Sequence, residues 1–162
     1  MKKPCKKLRA QRGMTLTELL VALLILSLVT VGVAAGVGTS LRVYRQATAA
    51  SEAQMLASTL SAALMDELRY ARDIQADGSF TSKDFGEKAA VAVAADGQLT
   101  LGGEKIVSSA AYAGLTVQAP PGEKLVEYDG GGMFHVSLVV CENGTSRCKT
   151  EFSVRALNVP TG

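Results

Sequence analysis

Residues 14–41 read MTLTELLVALLILSLVTVGVAAGVGTSL, and no charged residue lies between Glu18 and Arg42. The 23 residues from Leu19 to Leu41 exceed the roughly 20 apolar residues that cross a bilayer as a helix. This stretch therefore reads as a membrane-inserting helix. In front of it stand Lys2, Lys3, Lys6, Lys7, Arg9 and Arg12, with no acid before Glu18. By the positive-inside rule these charges hold the N-terminus in the cytoplasm and send the C-terminal part across.

Outside this segment the composition is that of an ordinary folded domain. The chain has 162 residues, 48% hydrophobic and 20% charged, which argues against disorder and allows one domain of usual size. Six of the 17 basic residues precede Met14 and none of the 15 acids does, so the net charge of +2 becomes −4 from Met14 onward. Nucleic acid is not indicated as a partner by that balance, because a broad phosphate-binding surface needs clustered cations. The absence of Trp and the 5% aromatic content point away from an aromatic-lined ligand pocket.

Three fates are open to the N-terminal segment. A conventional signal peptidase can cut near the small residues Val33-Ala34-Ala35 and release a soluble domain from about Gly36. The span can stay uncut as a signal anchor. Alternatively, the cut falls before the apolar run, between Gly13 and Met14. Glu18 bears on the choice, because a carboxylate drawn toward the membrane centre costs about 2.5 kcal/mol or more, and such residues are functional suspects. At the edge of the span it can also simply remain at the water interface.

A short basic leader ending in Gly13, the run Thr15-Leu16-Thr17-Glu18-Leu19-Leu20 and an unbroken apolar helix together resemble the signal of type IV prepilins and pseudopilins. The resemblance covers residues 1 to about 40. It implies that Gly13 precedes the prepilin-peptidase cut, that Met14 becomes an N-methylated N-terminus, and that Glu18 is the family's assembly acid. Met14 stands in place of the more usual Phe, Thr17 in place of an aliphatic residue, and the mid-helix proline of many major pilins is absent, with Gly32, Gly36 and Gly38 present instead. In the filament that the resemblance implies, Glu18 of an incoming subunit neutralises the Met14 amine of a neighbour. That pairing offsets part of the cost of holding two charges in apolar surroundings and fixes axial register.

From Gly38 to Asp77 there is neither Gly nor Pro, and the stretch SEAQMLASTLSAALMDELRYARDI is rich in strong helix formers. Ala49, Ala53, Leu56, Leu60, Ala63, Leu64, Leu68, Ala71 and Ile74 recur at spacings of three and four, which predicts an amphipathic helix to about Ala76, stopped at Asp77-Gly78. Glu67 interrupts the stripe and is expected at its edge or paired with Arg69 or Arg72. Beyond, the period changes. Short strand candidates at 89–95, 98–101, 104–108, 115–119 and 124–128 are punctuated by Asp96-Gly97, Gly102-Gly103, Pro120-Pro121-Gly122 and Gly130-Gly131-Gly132. The clearest two, 133–141 and 148–157, are joined across residues 142–147.

The expected fold is thus α+β. A leader of residues 1–13 is removed, 14–41 form the transmembrane and assembly helix, 42–77 the amphipathic helix, and 78–162 an antiparallel sheet packed on it.

Cys141 and Cys148 flank the last turn, so a cross-hairpin disulfide is feasible on an oxidising side of the membrane. Closing so short a loop would contribute about 2–3 kcal/mol. Simple alternation places Phe134, Val136, Leu138 and Val140 on the face opposite Cys141, whereas Phe152 and Val154 share the face of Cys148. That conflict calls for a bulge or for partial cover on both faces.

Other chemistry is sparse. No Cys/His set has metal-binding spacing, no cofactor is implied, and His135 has no identifiable nucleophile beside it. Gly130-Gly131-Gly132 lacks the Lys-Ser/Thr of a phosphate loop, and Asn143-Gly144-Thr145 reads as a turn rather than a glycosylation site. The resemblance makes the chain a minor pilin or pseudopilin rather than an enzyme. Its implied partners are the membrane, prepilin peptidase, other pilin subunits and an assembly machinery with its ATPase. The implied location is the inner membrane, then a periplasmic or surface filament serving motility, adhesion, DNA uptake or secretion. The alternative is an exported or anchored globular binding domain that uses residues 1–35 only as an export signal.

Overall fold

The computed structural model describes residues 14–158, and the chain divides into two compact units, 1–44 and 45–162. One α-helix, α1 (Leu16–Arg69, 54 residues), supplies the first unit and opens the second. In the first unit the side chains of α1 are exposed on every face. Ser27, Thr30 and Thr39 return their hydroxyls to the carbonyls of Leu24, Leu26 and Ala35 at 2.8, 2.7 and 3.3 Å. This back-bonding lets a hydroxyl sit in an apolar surface without asking for water. The helix is unbroken through Gly32, Gly36 and Gly38.

In the second unit α1 becomes one-sided. Ala49, Ala53, Leu56, Ala57, Leu60, Leu64 and Leu68 are buried, on the stripe read from the sequence. Against them pack two antiparallel sheets, so the α+β architecture is the one expected, divided into two sheets where one was foreseen. The smaller sheet has the order β1 (Val91–Val93), β2 (Leu99–Leu101), β3 (Glu104–Lys105). In the larger, β6 (Met133–Glu142) is central. β7 (Thr145–Arg155) runs along one edge of it, while β4 (Thr116–Gln118) and β5 (Val126–Tyr128) share the other. A 3-10 turn, Ser109–Tyr112, buries Tyr112, whose hydroxyl accepts the Leu99 N–H at 2.7 Å. Phe80 meets Phe134 edge-on at 5.8 Å between ring centres, and Tyr128 lies 5.0 Å from the same ring.

The helix ends at Arg69, short of the expected Ala76. Past Leu68 the chain tightens, with Ala71 N–H bonding Leu68 C=O, and Arg72 then leaves the helix to exchange both backbone hydrogen bonds with Thr81 at 3.1 and 2.7 Å. Sheet-type pairing thus replaces the next helical turn. Leu157 N–H and the Asn158 side-chain amide bond the carbonyls of Arg69 and Tyr70, satisfying acceptors that a helix end leaves open. Ala71 remains fully buried and Ile74 packs on the core, so the apolar spacing was correct about burial although the backbone is no longer helical.

Glu67 is buried, and its partner is the Ser82 hydroxyl at 2.5 Å, in place of Arg69 or Arg72. The same oxygen accepts the N–H groups of Asp84 and Phe85 at 3.2 and 3.0 Å. One hydroxyl therefore joins helix α1 to the turn that follows Thr81.

The last hairpin is tighter than expected. β6 and β7 extend to Glu142 and Thr145, leaving a two-residue turn at Asn143-Gly144 with φ of +49° and +78°. Both residues in left-handed conformation make the type of turn that matches strand twist, and Asn-Gly is its preferred pair. A register shift between Val140 and Cys141 places a bulge beside the turn, while Val154, Phe152 and Cys148 pair regularly with Phe134, Val136 and Val140 on one face, so the two cysteines lie on opposite faces.

At the β1–β2 turn, Gly97 has φ +75° and a Cβ there would lie 2.6 Å from Thr116 Cγ2. Gly97→Ala is expected to lower stability by about 1–3 kcal/mol, read as a lower midpoint in denaturant unfolding. Ser82→Ala, which leaves the Glu67 carboxylate and two amides without their partner, is expected to cost about 1–3 kcal/mol, with loss of near-ultraviolet dichroism at lower temperature as the check.

Candidate assembly segment

The segment singled out by the sequence begins at the edge of the described residues. Gly13 and the basic leader lie outside them, while Met14 is exposed and precedes the helix. Thr15 is the residue that starts α1. Its hydroxyl accepts the Glu18 N–H at 3.3 Å and lies 3.1 Å from the Thr17 hydroxyl. Thr15-Leu16-Thr17-Glu18 thus has the spacing of a capping box, in which a hydroxyl serves the amide of the third helical residue. Glu18 lies in the first turn, where a carboxylate also faces the positive end of the helix dipole. The sequence reading passed over Thr15, although Thr-x-x-Glu ahead of an apolar run was the signal for it.

Glu18 is exposed, as are the side chains from Leu19 to Leu41. At 1.5 Å per residue this stretch is about 35 Å long, against a hydrocarbon core of about 30 Å. By length and composition α1 is able to cross a membrane. Its one ionisable group before Arg42 sits at the end that a cut after Gly13 would make the new N-terminus.

The other candidate residues are not brought together. Cys141 and Cys148 are both free thiols, so the expected disulfide is absent. Strand alternation explains why. Cys148 pairs with Val140 on the face that carries Phe134, Val136 and Leu138, whereas Cys141 pairs with Thr116 and receives the Gln118 side-chain amide at 3.1 Å on the opposite face. Flanking a turn did not place the two sulfurs on one side of the sheet.

His135 is exposed on β6, with Nδ1 2.8 Å from the Ser153 hydroxyl and Glu127 as its cross-strand neighbour. Among the described residues no group of three or more metal-ligating side chains forms. The three glycines after Asp129 are ordered by its carboxylate, which accepts the N–H groups of Gly131 and Met133 at 2.7 and 3.0 Å. These bonds, first Met133 and then Gly131, hold the Asp129 carboxyl below the ordinary range.

No curated protein and no solved structure matches the chain. A family model described as the prokaryotic N-terminal methylation motif matches residues 8–34, a range that contains Gly13, Met14, Thr15 and Glu18 together with two-thirds of the apolar run. Over residues 8–34 the chain is therefore similar to the prokaryotic N-terminal methylation motif, the signal carried by type IV prepilins.

Proposed function

We propose that the chain is a minor type IV pilin or pseudopilin, a building block and not a catalyst. The observation that carries this reading is the methylation motif over residues 8–34, continuous with an apolar helix in which Ser27, Thr30 and Thr39 return their hydroxyls to helix carbonyls. In this reading prepilin peptidase cuts between Gly13 and Met14, and the Met14 amine is methylated. The chain waits in the inner membrane with its folded domain on the far side, and an assembly ATPase drives it into a filament or tip complex with other pilin subunits. The domains follow as leader 1–13, assembly helix 14–41, amphipathic helix from 42 and sheet domain to 162.

Two charges then dominate the energetics of the segment. Once Met14 is an N-terminus, its ammonium and the Glu18 carboxylate are the ionised groups of an otherwise apolar end. Pairing between subunits compensates a desolvation that either group alone would suffer. Moving from lipid into a helix-lined core exchanges one apolar environment for another, so the charge pair sets register while the leucines supply contact. Thr15 fixes the first turn and with it the direction in which Glu18 leaves the helix.

Intact mass and N-terminal sequencing of the protein from native membranes and shed material should give a start at Met14 carrying one added methyl. A start near Gly36 or an uncut Met1 overturns the proposal. Glu18→Ala should leave membrane insertion intact and reduce incorporation into sheared filaments by about tenfold or more. Unchanged incorporation removes the register role.

A further inference from the structure

Where α1 gives way to the Arg72–Thr81 bridge, a cleft of about 310 Å³ is lined by Tyr70, Arg72, Thr81, Ser82 and Lys83. Its backbone is held from several sides. Arg72 and Thr81 exchange both hydrogen bonds, which sets their Cα atoms about 5.5 Å apart with side chains leaving the same face. Ser82 N–H bonds Gly86 C=O at 2.9 Å, closing the loop that bears Lys83, and the Ser82 hydroxyl is consumed by Glu67, Asp84 and Phe85. The Tyr70 carbonyl is fixed by the Asn158 amide.

The side chains that remain are of one kind. The Arg72 guanidinium, the Lys83 ammonium and the hydroxyls of Tyr70 and Thr81 have no hydrogen-bond or ion-pair partner among the described residues. Other acids of this region are occupied or outside the lining. Glu67 is buried beneath and takes the Ser82 hydroxyl, and Asp84 is exposed beyond the cleft. Four donor groups, two of them cationic, thus belong to residues lining a cleft to which the described residues contribute no carboxylate.

We propose that this cleft binds a phosphate-type oxyanion, with Arg72 and Lys83 supplying charge and Tyr70 and Thr81 supplying neutral donors. A guanidinium gives paired, planar donors that match two oxygens of such a group, and an ammonium adds a point charge. Four donor groups suit a tetrahedral anion with three or more free oxygens better than a carboxylate with two. The anion comes either free or as a monoester, as on a headgroup or a sugar phosphate. The site belongs to the folded domain and stands whether or not the filament reading does.

The test is a titration of the full chain in detergent micelles with inorganic phosphate at constant ionic strength, following the side-chain N–H resonances of arginine and lysine. Saturable shifts confined to Arg72 and Lys83, with Kd on the order of 1 mM, are expected. Arg72→Gln and Lys83→Gln, at exposed positions with no internal partner, should keep the fold by circular dichroism and each weaken phosphate binding about tenfold. Equal affinity for glycerol 3-phosphate assigns the site to a monoester, and much weaker affinity assigns it to the free anion. A linear response that chloride reproduces, or acetate binding as tight as phosphate, overturns the proposal.

Discussion

The folded domain depends on burying one stripe of a helix that is apolar on every face just upstream. Between Ala49 and Leu68 the stripe alternates small and large side chains, with Ala49, Ala53 and Ala57 beside Leu56, Leu60, Leu64 and Leu68. The alanines let the sheets approach closely and the leucines fill what remains. At about 1.5–3 kcal/mol for each fully buried leucine, this contact is a principal stabilising term. It explains why both sheets are organised around the helix face. Glu67 marks where the stripe meets a polar constraint, and the Ser82 hydroxyl makes its burial tolerable by answering it directly.

The same helix meets a different requirement between Leu19 and Leu41. Its stability in an apolar medium rests on internal satisfaction of polar groups, to which the backbone ladder and the returned hydroxyls of Ser27, Thr30 and Thr39 contribute. Thr15 extends that logic to the first turn by occupying the Glu18 amide. The Glu18 carboxylate takes no part in that cap, which is made by a neighbouring hydroxyl.

Much of this was written in local sequence. The apolar run, the three-and-four spacing of Ala49 to Leu68, and the Asn143-Gly144 and Asp96-Gly97 turns act over a few residues, and their physics is carried by the residues themselves. What escaped reading was set by distant partners. The helix stops at Arg69 because Thr81, twelve residues on, competes for the backbone of Arg72. The disulfide expectation failed because Cys148 pairs with Val140, the residue before Cys141, so strand alternation turns the two cysteines to opposite faces. Glu67 was judged by its sequence neighbours Arg69 and Arg72, whereas its partner lies fifteen residues away. Thr15 is the exception, since its signal was local and simply stood in the shadow of Glu18.

The carbonyls of Arg69 and Tyr70 are satisfied from residues 157 and 158. A chain made from its N-terminus delivers the helix first and those closing amides last. Until they arrive the helix end and the buried stripe have no completed sheet to meet. Completion of the folded domain is therefore a high-contact-order event, and until those last residues are in place the leucines of α1 that the sheets bury are surface that a chaperone or a protease can read.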